Sequence, residues 1–331
     1  MNPSERLPVL DGLRAISILL VLAAHMLPLG PKPLQLNYTA GAMGMSLFFS
    51  LSGFLITSTL LHNANLYEFI AKRLARILPL AYAYTLIVFT FVYFDPTAAF
   101  WTATFLLNYF TDYMVDGLNN HFWSLCVEMQ FYAAIALIVL FGGKKGIWIV
   151  WPACLMVTAM RIHAGAFIAI QTHLRVDEIL TGACVATLYQ DSWKTRVRFP
   201  AICTGLAALL WLSSSHPYTE GFQYLRPYAT ALFLAATLCH DKTRFSEILA
   251  TRPLRYIAAV SYALYVVHPL AIHGWFNTGG VIDRYLLKRP ISFIMIFASA
   301  HISTFYWEKF WLQATRKWIQ ARRSRLAQST A

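Results

Sequence analysis

Ten stretches of this sequence are long and apolar enough, or nearly so, to cross the hydrocarbon core of a bilayer, which is about 30 Å thick and takes about 20 residues of helix. They run over residues 9–29, 42–62, 74–94, 122–141, 147–163, 174–190, 199–214, 228–240, 256–276 and 290–311. In hydrocarbon each backbone N–H and C=O must find its partner inside the protein, so this pattern predicts an all-α, polytopic membrane protein with about ten transmembrane helices. Only 13% of the residues are charged and 58% are hydrophobic, whereas a soluble domain carries about twice that charge fraction. The net charge of +12 does not point to nucleic acid, because the cations fall in short clusters between apolar runs and no basic-aromatic module accompanies them. Five cysteines lie singly within apolar runs, with no C-x-x-C spacing, so neither a metal site nor a disulfide framework is expected. The first apolar run is too long for a signal-peptide core and reads as a retained first span.

An eleventh apolar piece, 98–110, contains Asn108 and is only about 13 residues long, too short to cross, so it fits an interfacial or re-entrant segment. Charge placement agrees. With ten spans and both termini cytoplasmic, 20 of the 27 Lys and Arg residues fall inside, among them Arg6, Lys72, Arg73, Arg76, Lys144, Lys145, Lys194, Arg196, Arg198 and Lys242. Seven fall outside: Lys32, Arg161, Arg175, Arg226, Arg284, Lys288 and Arg289. Counting 98–110 as a crossing would move Lys144, Lys145 and the cluster at 194–198 outside and weaken the bias. Residues 1–331 read as a single integral-membrane domain, with 312–331 as a basic cytoplasmic end near anionic membrane lipid.

Within this apolar frame, few residues can carry chemistry. Arg14 and His25 are eleven positions apart, which places them within about 20° of one helix stripe and about 16 Å apart along it. Ionisable groups inside a membrane helix cost roughly 2.5–3.5 kcal/mol each on insertion scales, so a shared stripe suggests a lined interior. The competing reading is a snorkelling Arg and a hydrogen-bonded structural His. Counting depth along each span puts His25, Glu128 and Asp177 in one layer near the outer face, with Arg14 below. A carboxylate beside an imidazole would make it a general base. Asp177 can equally pair with a cation such as Arg175, whereas Glu128 has no Lys or Arg within its own span. Arg73 and Arg76, three apart on a helix face, could grip phosphate or simply set topology. Pro269 frees the carbonyl of Tyr265; His268 could line the interior or instead satisfy that freed group, the structural role being favoured. Ser52-Gly53 marks close helix contact. Trp123, His121 and the rings between 100 and 113 could stack on sugar or form an interfacial aromatic belt.

The local motifs occur together and in order: Leu10-Asp11-Gly12-Leu13-Arg14-Ala15 with His25 eleven positions after Arg14, Phe48-Phe49-Ser50-Leu51-Ser52-Gly53-Phe54-Leu55-Ile56, and Arg73-x-x-Arg76. They continue with residues 122–132 around Trp123 and Glu128, Arg175-Val176-Asp177-Glu178 with Gly182, and 261–269 ending in His268-Pro269. On these the chain resembles, over essentially its full length, the membrane acyltransferase-3 family of bacterial carbohydrate O-acyltransferases. The resemblance implies a multi-pass protein of the bacterial inner (cytoplasmic) membrane. It implies transfer of an acyl group, usually acetyl, from cytoplasmic acetyl-CoA as co-substrate, with no metal. The acceptor would be a hydroxyl of an extracytoplasmic carbohydrate: lipopolysaccharide O-antigen, exopolysaccharide or a lipid-linked glycan.

It also implies that Arg14 and His25 are the functional pair and that Arg73 and Arg76 serve the CoA side. His25 would then act as base, with Glu128 or Asp177 orienting it and His268 and Trp123 in support. Cys126 and Met129 depart from the family's usual Ser and Glu, and Tyr306-Trp307-Glu308 lacks the Pro that often follows. A proton-coupled transporter of a small solute is the alternative. It would favour two matching halves with interrupted spans, a symmetry absent from the sequence.

Overall fold

The computed structural model describes residues 7–190, 201–239 and 243–329. Among the described residues there is no β-strand. Helix α1 (Pro8–Met26) opens on a proline, whose missing N–H costs nothing in a first turn. Helix α2 spans Leu36–His62. Helix α3 (Leu66–Ile87) starts where the Asn65 side chain accepts from the Glu68 N–H, and continues through a π-helical turn, Val88–Val92. Then follow α4 (Pro96–Ala103), α5 (Trp123–Gly146), α6 (Val150–His163) and α7 (Asp177–Gln190). The remaining helices are α8 (Ala201–Ser215), α9 (Arg226–Cys239), α10 (Arg244–Leu249), α11 (Arg252–Val267), α12 (Arg289–Ile302) and α13 (Lys309–Ser329).

Among the described residues, six helical stretches are long and apolar enough to cross a membrane: Pro8–Met26, Lys32–His62, Leu66–Val92, Asn120–His163, Arg252–Ile272 and Asp283–Arg325. Ile202–Ser215 is a shorter apolar helix. Each of the ten expected segments overlaps helix, although 199–200 and 240 lie outside the described residues, as do Arg6, Lys194, Arg196, Arg198 and Lys242. The expected segment 98–110 holds most of α4 and a single 3₁₀ turn, Leu107–Tyr109. Helix α4 has 8 residues, about 12 Å of rise, and the chain reverses after it at Phe105, whose φ is +57°.

The centre of the molecule is α2, packed against α1 on one side and α7 on the other. Two glycines permit the second contact. A Cβ on Gly53 would stand 2.9 Å from the Ile179 carbonyl carbon and closer still to its oxygen, and one on Gly182 would stand 2.6 Å from the Ser50 carbonyl carbon. The two backbones therefore cross with nothing but hydrogen between them, the close contact expected at Gly53. On the α1 side, Ser17 donates to the Gly44 carbonyl at 2.8 Å.

One end of the bundle gathers cations. Lys144 Nζ donates to His62 O at 3.1 Å, and Glu68 accepts from Lys72 at 3.1 Å and from Arg323 Nε at 2.7 Å. The basic C-terminal segment is helical as far as it is described and lies on α3, with Arg322 3.7 Å over the Tyr67 ring. Segments at the other end interlock: Tyr38 Oη, in the first turn of α2, donates to Gln223 at 3.2 Å, and Asn108 Nδ2 donates to Ile170 O at 3.1 Å and to Thr172 Oγ1 at 2.9 Å.

Candidate active site

Two cavities lie along α1, one at each member of the Arg14–His25 stripe. The smaller, about 50 Å³, is lined by Arg14, Arg73, Arg76, Ser52, Glu128 and Tyr132, among others. The larger, about 530 Å³, is lined by His25, His121, His268, Trp123, Arg175 and Arg226, among others. Phe48 borders the first and Tyr265 the second. These two rings stack with centroids 6.1 Å apart and planes 11° from parallel, forming the partition between the cavities. Tyr265 is held rigidly, its hydroxyl donating to His121 O at 2.7 Å and lying 2.5 Å from Ser124 Oγ.

The shared stripe is therefore real: both residues face cavities on the same side of α1. His25 Nδ1 lies 2.9 Å from the Val21 carbonyl, one turn earlier. A carbonyl oxygen can only accept, so Nδ1 carries a proton, and in the neutral ring Nε2 keeps its lone pair. His268 follows the same logic. Pro269 has no N–H for the Tyr265 carbonyl, and His268 Nδ1 donates to that oxygen at 2.7 Å. Both expected roles of His268 hold together, since it also lines the His25 cavity. The His25 and His268 ring centroids are 5.2 Å apart, and His121 lies 5.5 Å from His268.

The two carboxylates fall elsewhere than depth counting predicts. Glu128 belongs with Arg14, not with His25. Ser52 Oγ and Tyr132 Oη both donate to its Oε1, Tyr132 at 2.5 Å, and Arg73 stands 5.7 Å over the Tyr132 ring. Depth counting starts every span at the membrane surface. Here the turn that opens α5 is itself buried, with His121 only 7% exposed and its Nε2 at 3.2 Å from Val266 O. Glu128 is thereby carried deeper into the bundle. Asp177 takes the ion-pair alternative, with Arg161 as partner rather than Arg175: Oδ2 accepts from Arg161 Nη1 at 2.6 Å and from Thr158 at 3.3 Å. Both charges of that pair are fully buried. In this geometry the Val21 carbonyl, not a carboxylate, fixes the His25 ring.

A second buried pairing was not legible in the sequence. Glu178 accepts from Arg226 Nε at 2.8 Å and pairs with Arg175 at 3.2 Å. Arg175 also lies 5.3 Å over the ring of Trp123. Arg161, Arg175 and Arg226 were counted among the seven cations on the outer side, each at or near the border of an apolar run. All three are buried in the structure. Tyr132 could have been found, since it lies one helical turn after Glu128.

The profile of the acyltransferase domain matches residues 7–307. The chain belongs to the acyltransferase-3 family. Among curated proteins it is similar to the O-acetyltransferase OatA of Staphylococcus aureus, 27% identical over 321 residues that cover 81% of this chain and 51% of the relative. It is also similar to the peptidoglycan O-acetyltransferase OatA of Listeria monocytogenes, 25% identical over 317 residues, 79% of this chain and 48% of the relative. The chain thus spans about half the length of the curated relatives it matches. No solved structure matches it.

Proposed function

We propose that this acyltransferase-3 protein moves an acetyl group from cytoplasmic acetyl-CoA to a hydroxyl of an extracytoplasmic glycan, with the Arg14 cavity facing the cytoplasm and the His25 cavity facing outward. One observation carries the reading: a cationic cavity and an imidazole-lined cavity lie along one helix, with Phe48 on the wall of the first stacked on Tyr265 on the wall of the second. The cations at the 62–72 and 144 end of the bundle support the orientation, with ten crossings and both termini inside. The inner membrane of a bacterium fits this arrangement. The similarity to O-acetyltransferases favours acetyl as the group, and the Listeria monocytogenes relative, a peptidoglycan O-acetyltransferase, favours a cell-wall glycan as the acceptor.

Arg14, Arg73 and Arg76 hold phosphates through charge-assisted hydrogen bonds. Bound acetyl-CoA supplies an activated carbonyl, and the rise of about 16 Å between Arg14 and His25 is the span its arm must cover. Trp123 and the rings around it seat the sugar. His25 Nε2 takes the proton of the acceptor hydroxyl as that oxygen attacks the thioester carbon. The C–O bond forms, the C–S bond breaks, and the imidazolium returns the proton to the departing thiolate. Val21 O holds Nδ1–H throughout, so the ring needs no reorientation between the two proton transfers.

Replacing His25 with Ala tests this directly. Acetyl-CoA-dependent acetylation of cell-surface glycan, read by mass spectrometry, should fall by about 10²–10⁴-fold, with the protein still in the membrane. Full activity in His25→Ala would refute the assignment.

A further inference from the structure

The His25 cavity holds more positive charge than proton transfer uses. Arg161, Arg175 and Arg226 face Asp177 and Glu178 in one buried network, three guanidinium groups to two carboxylates. Arg161 is committed to Asp177 and to the Phe167 carbonyl, at 2.6 and 2.9 Å. Arg175 and Arg226 share the single carboxylate of Glu178, and both line the cavity. One positive charge is left over. Donors are left over as well: Arg175 Nε and Nη1 and Arg226 Nη1 are buried with no hydrogen-bond partner among the described residues. Arg175 is 3% exposed and Arg226 0%. A buried cation in that condition is destabilising until an anion reaches it. Asp116, the carboxylate on the cavity lining, does not fill the role, because it is exposed and accepts from Asn120 Nδ2 at 3.0 Å. The remaining titratable groups on the lining are His25, His121, His268, Tyr38 and Tyr265, none of which is a fixed negative charge.

We propose that Arg175 and Arg226 form an anion subsite in the His25 cavity, and that the acceptor seated there is a glycan bearing one negative charge near the reacting hydroxyl. This rests on the acyltransferase reading and narrows its substrate class. The surplus of a single charge selects a monoanion, a carboxylate or a phosphodiester. Trp123, beneath Arg175 and on the same wall, offers an aromatic face for the sugar ring next to its acidic substituent.

The test is calorimetric titration of the full chain in nanodiscs with two matched pairs of oligosaccharide. One pair is a tetrasaccharide of alternating N-acetylglucosamine and N-acetylmuramate, with its carboxylates free or converted to methylamides. The other is a neutral tetrasaccharide, with or without a glycerol phosphodiester substituent. The charged member of one pair should bind at least tenfold more tightly than its neutral counterpart, the fold-change of one charge-assisted hydrogen bond; the pair that responds identifies the anion. Arg175→Gln leaves Glu178 with Arg226 and should bring the ratio close to one, while Arg175→Lys keeps part of it.

Equal binding within both pairs, or a ratio unchanged by Arg175→Gln, would overturn the proposal. The wild-type ratio needs no variant, so the test survives if Arg175→Gln does not fold. Binding is read apart from turnover. Charge-selective binding without acetyl transfer would remove the acyltransferase reading and keep the subsite, and transfer to charged and neutral acceptors alike would do the reverse.

Discussion

The crossing of α2 and α7 sets the geometry of both cavities, and two methyl groups should be enough to disturb it. Gly53→Ala places a carbon 2.9 Å from the Ile179 carbonyl carbon and 3.0 Å from Ala183 N, and Gly182→Ala places one 2.6 Å from the Ser50 carbonyl carbon. Ordinary carbon contacts begin near 3.5 Å, so relief requires the helices to part by about 1 Å. The obstacles are backbone atoms, which cannot rotate away as a side-chain tip can. Overpacking of this kind costs about 1–3 kcal/mol.

The functional effect should exceed the stability effect. Helix α2 carries Phe48 and Ser52, and α7 begins with Asp177 and Glu178, which hold Arg161, Arg175 and Arg226. A displacement of about 1 Å at a reacting centre costs about 10²-fold in rate. Thermal unfolding in detergent and the acetyl-transfer rate should therefore both fall in each single variant. The double variant should be less than additive, because one separation of the helices relieves both clashes. Variants with wild-type melting and wild-type turnover would refute the backbone-contact argument.

Further outcomes follow from the same geometry. Asp177→Asn strips Arg161 of its buried counter-charge and should destabilise the protein by about 3–5 kcal/mol in thermal or denaturant unfolding; a stable but inactive Asp177→Asn protein would instead make Asp177 a reacting group. Glu128→Gln removes a negative charge beside the Arg14 cavity. At about 10 Å and an effective dielectric of about 20 this is worth roughly 1.5 kcal/mol, so KM for acetyl-CoA should fall about tenfold while the pH dependence of kcat stays in place; a shifted pH profile would return Glu128 to His25. Phe48→Ala opens the partition, and release of free thiol from acetyl-CoA in the absence of acceptor should rise several-fold relative to transfer. An unchanged ratio would mean that the ring stack does not separate the cavities.

Much of the site was readable in the order of residues because it depends on contacts within one helix or between neighbours in sequence. The Arg14–His25 stripe follows from helical pitch. The bond from His268 to the Tyr265 carbonyl follows from the proline after it, which leaves that carbonyl without its usual donor. The shortness of the helix within 98–110 agrees with the shortness of its apolar run. The pairings that sequence reasoning did not give join different helices: Glu128 with Ser52 of α2, Asp177 with Arg161 of α6, Glu178 with Arg226 of α9. Depth counted from the start of a span cannot anticipate a helix that begins beneath its own loops, as α5 does.

Sequence alone determined that this chain is helical and membrane-embedded, and that one stripe of its first helix is polar, because hydrocarbon leaves backbone amides no other partner and makes every buried charge conspicuous. Only the tertiary structure decided which charges cancel and which remain. Ion pairing falls off over a few ångströms, and the helices that bring Arg175, Arg226 and Glu178 within that range are separated by up to 51 positions in the chain, from 175 to 226.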